Sequence, residues 1–129
     1  MPMNNGAVAT QRPSSAADYA MAGKAAMDRG DYPIAIQSFN QAIKLEPQNA
    51  GHYAQLGIAQ ARAGNPTEAN TTLAKAAKLG STVAEREMGN IARDRGDVAS
   101  ALQHYTVYLR TDPPDKAEVQ AEIDKLQGK

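Results

Sequence analysis

The sequence predicts an all-α fold, a short solenoid of tandem helical hairpins, and three observations predict it. Alanine accounts for 25 of the 129 residues, against one Phe, five Tyr and no Trp. Alanine is the best helix former and lets helix axes approach closely, whereas the β-branched and aromatic residues that strands favour are scarce here. The second observation is a fixed internal period, and the third is that apolar residues inside each period recur at helical spacing.

The period is carried by four classes of position. Gly23, Gly57 and Gly89 are separated by 34 and 32 residues, and the pairs Gly30-Asp31, Gly64-Asn65 and Gly96-Asp97 keep the same two spacings. So do Ala35, Ala69 and Ala101, and then Phe39, Leu73 and Tyr105. Four kinds of position recurring in step mark a true repeat.

Taken in order, residues 1–14 (MPMNNGAVATQRPS) show neither helical nor strand periodicity and are expected to form a disordered leader. A first helix is expected from about Ala16 to Arg29, where Tyr19, Ala22, Gly23 and Ala26 fall at i, i+3, i+4, i+7. Gly30 can take the left-handed conformation that ends a helix, and Asp31 can cap the next one. The second helix, about Tyr32 to Leu45, aligns Ile36, Phe39 and Ile43 on one face and stops before Pro47. The second unit turns at Gly64-Asn65-Pro66, with proline in a first turn that has no use for its missing N–H. The third turns at Gly96-Asp97. After Pro113-Pro114, Val119, Ile123 and Leu126 at i, i+4, i+7 predict a one-sided helix, which a stacked array needs as a lid over its last apolar face.

In these features the chain resembles the tetratricopeptide repeat (TPR) family over about residues 16–113. The first repeat shows Tyr19, Ala22, Gly23, Ala26, Ala35, Phe39, Ala42 and Pro47 at the signature positions. The second shows Tyr53, Leu56, Gly57, Gln60, Ala69, Leu73 and Ala76, and the third shows Glu85, Met88, Gly89, Ala92, Ala101, Tyr105, Tyr108 and Pro113. Gln60 stands where a large aromatic is usual, Glu85 replaces the bulky first signature residue and Tyr108 replaces a small one. The second repeat is two residues short and ends at Leu79-Gly80-Ser81 without its proline. The resemblance implies a right-handed α-α solenoid over residues 15–127, with repeats at about 16–49, 50–81 and 82–113 and a capping helix at about 114–127.

Composition narrows function. Fourteen Lys+Arg balance fourteen Asp+Glu, so no excess of basic residues draws the chain to nucleic acid or to anionic membrane. No run of apolar residues is long enough for a membrane span. Without Cys there is no disulfide framework and no thiolate site, which leaves the compartment undetermined: the cytoplasm by default, or a bacterial periplasm if an export signal has been removed. His52 and His104 lie far apart with no HxxH or HExxH companion, and no GxxxxGK[ST], GxGxxG or GxSxG occurs. Glu85 and Glu87 flank Arg86 on a helix, where they point apart and form no acid/base pair. No enzyme activity, metal or cofactor is expected.

The resemblance then implies a function. In TPR proteins the first helix of each unit builds a concave wall, and partner peptides lie on the positions not used for packing. Those positions correspond here to Ala17, Ala20, Met21, Lys24, Met27 and Asp28, then Ala54, Gln55, Ile58, Ala61 and Arg62, then Arg86, Glu87, Asn90, Arg93 and Asp94. The candidate groove is Ala20, Met21, Lys24, Met27, Ala54, Gln55, Ile58, Arg62, Arg86, Asn90 and Arg93. Met21, Met27 and Ile58 compete with a reading as inter-repeat packing, and the arginines with a solvated ion-paired face. The signature positions already account for the packed face, which favours the groove, although the terminal helix could itself lie there. A non-enzymatic scaffold is therefore expected to hold a protein or peptide that is apolar at one end and acidic or mixed at the other. Fold-level analogy suggests an accessory factor of a bacterial envelope, pilus or secretion assembly. The alternative is a structural protein that forms homo-oligomers through its array ends.

Co-chaperones of the resembled family grip the C-terminal carboxylate of heat-shock proteins with Lys, Asn, Asn, Lys and Arg. Ala20, Lys24, Gln55, Val83 and Glu87 occupy the corresponding places. Glu87 stands where a cation is needed, so a terminal carboxylate is repelled. A peptide ending in such a carboxylate is expected to show no micromolar binding in a titration; saturable micromolar binding would contradict this assignment.

Overall fold

The computed structural model describes residues 15–129, so the leader expected over residues 1–14 lies outside the described residues. Seven helices follow one another with no strand among the described residues: α1 Ala16–Asp28, α2 Tyr32–Leu45, α3 Ala50–Arg62, α4 Pro66–Lys78, α5 Val83–Asp94, α6 Val98–Leu109 and α7 Lys116–Leu126.

Three of the turns are chemically alike. At the end of α1 the Gly30 N–H donates to Met27 O at 3.0 Å and the Asp31 N–H to Ala26 O at 2.8 Å, with Gly30 at φ 77°. This paired closure satisfies two orphan helix carbonyls and requires a left-handed residue, which glycine adopts without a Cβ clash. Gly64 and Gly96 repeat it. The next residue then starts the following helix: Asp31 accepts from the Ile34 N–H at 3.3 Å and Asp97 from the Ser100 N–H at 3.1 Å. Asn65 makes no such side-chain bond, and Pro66 opens α4 instead.

Within each hairpin a second glycine sets how closely the two helices cross. A Cβ placed on Gly23 would lie 2.7 Å from the Phe39 ring, one on Gly57 2.6 Å from Leu73, and one on Gly89 2.6 Å from the Tyr105 ring. Phe39, Leu73 and Tyr105 are the largest fully buried side chains, and each such burial contributes about 1.5–3 kcal/mol.

Three cores are stacked along the chain, each built from one hairpin and the helix that follows it. Ala26, Met27, Ala35 and Phe39 are closed over by Leu56 and Ala59 of α3. Ala54, Ala69, Leu73 and Ala76 are closed over by Ala84, Met88 and Ile91 of α5, and Ala92, Ala101, Tyr105 and Tyr108 by Val119 and Ile123 of α7. The shortened link after α4 does not interrupt this stack. Gly80 ends the helix at φ 107°, the Ser81 N–H closes onto Ala76 O at 2.9 Å, and α5 seats its apolar face as the longer joint would. The backbones of α1, α3 and α5 approach one another in sequence, while those of α2, α4 and α6 do not. The first helices therefore line the inner wall of a curved solenoid and the second helices its outer wall.

The three departures from the repeat pattern have distinct outcomes. Glu85 accepts a hydrogen bond from His104 Nδ1 at 2.7 Å, so a polar contact between α5 and α6 stands in for bulk. Tyr108 is buried and its hydroxyl donates to Asp115 Oδ1 at 2.6 Å, tying α6 to the start of α7. Gln60 is buried with its Oε1 unpaired, a destabilising choice worth about 1–3 kcal/mol at a position where the resemblance implied an aromatic ring.

Gly57→Ala gains about 1 kcal/mol of helix propensity but overpacks the crossing. The expected net result is a loss of about 1–2 kcal/mol in thermal or urea unfolding. Because Cβ and Leu73 compete for one volume, the Gly57→Ala/Leu73→Ala double variant should be more stable than the sum of the single losses; strict additivity would show that the two residues do not meet.

Candidate functional site

The inner wall is where the sequence placed its candidate residues, and the helices sort them into three groups. Met21 on α1 is the most exposed large apolar side chain, at 69 %. Lys24, Gln55 and Arg62 are also exposed, while Ala20 and Ile58 are half-buried. Met27 and Ala54 do not line the groove. Met27 is 8 % and Ala54 2 % exposed, and both belong to cores: Met27 packs in the cluster that α3 closes, and Ala54 in the cluster that α5 closes. The physical reason is that each first helix leans on its neighbour along the wall, so positions at the edge of its inner face are covered. At these two positions the packing interpretation is the correct one.

The third group comprises Arg86, Asn90 and Arg93 on α5, all half-buried. The two arginines are engaged with carboxylates. Arg86 Nη1 donates to Asp115 Oδ2 and Nη2 to Glu87 Oε2, both at 3.0 Å, and its guanidinium lies 5.8 Å from the Tyr108 ring centroid. Arg93 donates to Asp94 Oδ1 through Nε at 3.1 Å and Nη2 at 3.0 Å, and to Glu122 Oε2 through Nη1 at 3.4 Å. The pairs Arg86–Asp115 and Arg93–Glu122 have the same sequence separation, so α7 runs beside α5 in register and cross-links it twice. Of the three arginines among the candidates, Arg86 and Arg93 are thereby neutralised by the chain itself and Arg62 is not. Asp115 and Glu122 were not among the candidates, yet both pairs repeat a seven-residue step, Arg86 to Arg93 and Asp115 to Glu122, which the sequence displays.

One cavity on this wall brings several candidates together. It encloses about 360 Å³ between α3 and α5 and is lined by Ile58, Arg62, Asn90 and Arg93, with Ala61, Glu87, Ile91 and Asp94. Its floor is apolar through Ile58, Ala61 and Ile91, and its rim is charged. Ile91 is the lining residue that sequence reasoning missed, because its position also packs into the core. Asn90 is oriented from below: the Tyr105 hydroxyl donates to its Oδ1 at 2.7 Å, which leaves the amide NH₂ as the group available to a ligand. A volume near the low end for ligand sites suits one or two side chains.

A second cavity of about 390 Å³ lies off the inner wall among Asn70, Met88, Ala92, Arg95, Asp97, Ser100 and His104. Two of its polar groups serve the fold, since Asp97 caps α6 and His104 holds Glu85. His52 likewise donates from Nε2 to Glu46 Oε1 at 2.7 Å, across the joint between α2 and α3. Among the described residues no three of His, Asp and Glu gather as a metal site, and no helix is long and apolar enough to cross a membrane.

The repeat geometry meets an independent finding here: residues 23–64 match the family model described as TPR repeat. Over that stretch the chain is similar to tetratricopeptide repeats. No curated protein matches the sequence. Solved TPR structures superpose over most of it. The TPR2B domain of yeast Sti1, in a complex with pHsp70, gives a TM-score of 0.81 at 20 % identity, covering 88 % of this chain and 96 % of that one. The first TPR domain of human RPAP3 gives 0.80 at 20 % identity, covering 88 % and 90 %. The TPR domain of Arabidopsis OM64 gives 0.77 at 17 % identity, covering 86 % and 95 %. At these identities the likeness is one of fold, an all-helical TPR solenoid.

Three of the carboxylates at the joints between helices, Asp115, Glu122 and Glu46, titrate low. The Tyr108 hydroxyl, followed by Arg86, holds Asp115 below the usual carboxylate range, and Lys125 with Arg93 does the same for Glu122. His52 and Asn49 lower Glu46. A group whose pKa falls on folding contributes stability above its unfolded value and loses it as pH drops through the folded one. Stability is therefore expected to be flat above about pH 5 and to decline towards pH 3. Arg86→Ala should remove about 1–2 kcal/mol and selectively reduce amide-exchange protection in α7, because Asp115 and Glu87 both lose the guanidinium that bonds them. Unchanged protection in α7 would show that the paired arginines do not hold that helix.

Proposed function

We propose that this protein is a non-enzymatic interaction module that holds a peptide or helix of a partner protein against its inner wall. The observation that carries this reading is the apolar-floored cavity between α3 and α5, whose floor of Ile58, Ala61 and Ile91 is shared with the edges of two cores. Exposed Met21 extends the apolar surface towards α1, and Met adapts to varied partner shapes. The first TPR of Spaghetti (RPAP3), which superposes with a TM-score of 0.80 at 20 % identity, is bound to the HSP90 peptide SRMEEVD. The partner of this chain is of another kind, since Ala20, Val83 and Glu87 occupy places that hold cations in carboxylate-gripping relatives, and Glu87 is itself ion-paired to Arg86. A place as accessory factor in a bacterial envelope, pilus or secretion assembly is the finer form of the same proposal.

Self-assembly through the array ends is less favoured by surface chemistry. The residues that dock α3 and α5 onto the preceding hairpin are His52, Leu56 and Ala59, and Ala84, Met88 and Ile91. Asp18, Ala22 and Ala25 occupy the equivalent face of α1, with little apolar area to bury against another copy.

Replacing Met21 and Ile58 together with Glu should abolish partner capture in a pull-down from the source cells while the far-ultraviolet circular dichroism stays helical. Capture of the same proteins by the double variant would place the site off this wall.

A further inference from the structure

We propose that the cavity between α3 and α5 recognises an acidic side chain placed immediately beside a branched aliphatic one in an internal stretch of the partner, with Arg62 as the residue that reads the acid. This rests on the inner-wall reading and specifies what the wall selects.

The argument is an accounting of donors and acceptors. Both carboxylates on the cavity rim have a guanidinium at hydrogen-bond distance, Glu87 from Arg86 and Asp94 from Arg93. Arg93 is in turn committed to Asp94 and Glu122. Arg62 is different: it is exposed in the last turn of α3 and forms no ion pair among the described residues. The Asn90 amide nitrogen is the second free donor, because its oxygen is taken by Tyr105. Two free donors beside a floor of Ile58, Ala61 and Ile91 call for an acceptor-rich group next to an apolar one. A carboxylate meets Arg62, a main-chain carbonyl meets Asn90, and a Leu, Ile or Val side chain fills the floor.

The structure thereby revises the charge layout expected from sequence. Arg62, Arg86 and Arg93 together form the arginine-bearing stretch of the wall, but α7 supplies Asp115 and Glu122 to the last two. The acid-reading position narrows to Arg62 in the middle of the wall, and acid and apolar anchor become neighbours.

The test is a random peptide library displayed on phage and panned against the full chain. Enriched sequences, made as fluorescein-labelled peptides, are titrated against wild type, Arg62→Glu, Arg62→Gln, Ile58→Ala and Ile58→Glu. Arg62 is exposed, so its variants retain wild-type helicity, and Ile58→Ala serves if the charged Ile58 variant fails to fold. Enriched peptides should carry Asp or Glu next to Leu, Ile or Val. Arg62→Glu should weaken them roughly tenfold or more and favour versions with Lys in place of the acid. Added salt should weaken wild-type binding. Peptides that depend on Ile58 but lack the acid, or that bind Arg62→Glu as well as wild type, would overturn the inference and leave the inner-wall reading standing. Peptides indifferent to both Ile58 variants, or no enrichment at all, would overturn that reading too.

Discussion

Everything in this molecule depends on how closely two helices cross inside each hairpin. Gly23, Gly57 and Gly89 have no side chain where Phe39, Leu73 and Tyr105 lie, and there is no room for even one carbon. That contact sets the distance between inner and outer helices, and with it the angle at which the next hairpin can dock. Alanines on both sides, such as Ala26, Ala35 and Ala42 in the first unit, keep the rest of the crossing equally close. The high alanine content is thus the volume requirement of this crossing, met three times.

Packing and recognition are divided between faces of the same helix. Helices α1, α3 and α5 each give one face to a core and leave another on the inner wall, so the chemistry of the wall can vary without cost to the stack. The third unit shows this best. There Glu85 and Tyr108 depart from the repeat pattern, and both serve cohesion: Glu85 joins α5 to α6, and Tyr108 anchors the acid that meets Arg86. Helix α7 packs as the first helices do, with Val119 and Ile123 inward and two acids turned towards α5.

How much of this the sequence revealed differs between fold and site. The hairpins were legible because glycine, cap and aromatic recur at fixed spacing, and α2 spans Tyr32–Leu45 as expected. Local chemistry decides those features. Met27 and Ala54 misled because helical spacing identifies a face, while cover by the neighbouring hairpin depends on how far one helix leans on the next. The arginines misled for a related reason. Their partners lie on another helix, and only the path of the superhelix brings Asp115 and Glu122 beside Arg86 and Arg93. Arg62, on α3, forms no ion pair among the described residues.

The stacked cores carry an implication for how such a chain changes length. Each core uses one hairpin plus the helix that opens the next, so every internal joint has the same form. Duplicating or deleting a whole hairpin creates no new kind of contact, and growth in steps of one unit is structurally neutral. Smaller changes have to be absorbed between units, as in the clipped joint at Leu79, Gly80 and Ser81, where a left-handed glycine restores the docking of α5. Evolutionary lengthening is therefore quantised, and indels of a few residues should gather at these joints.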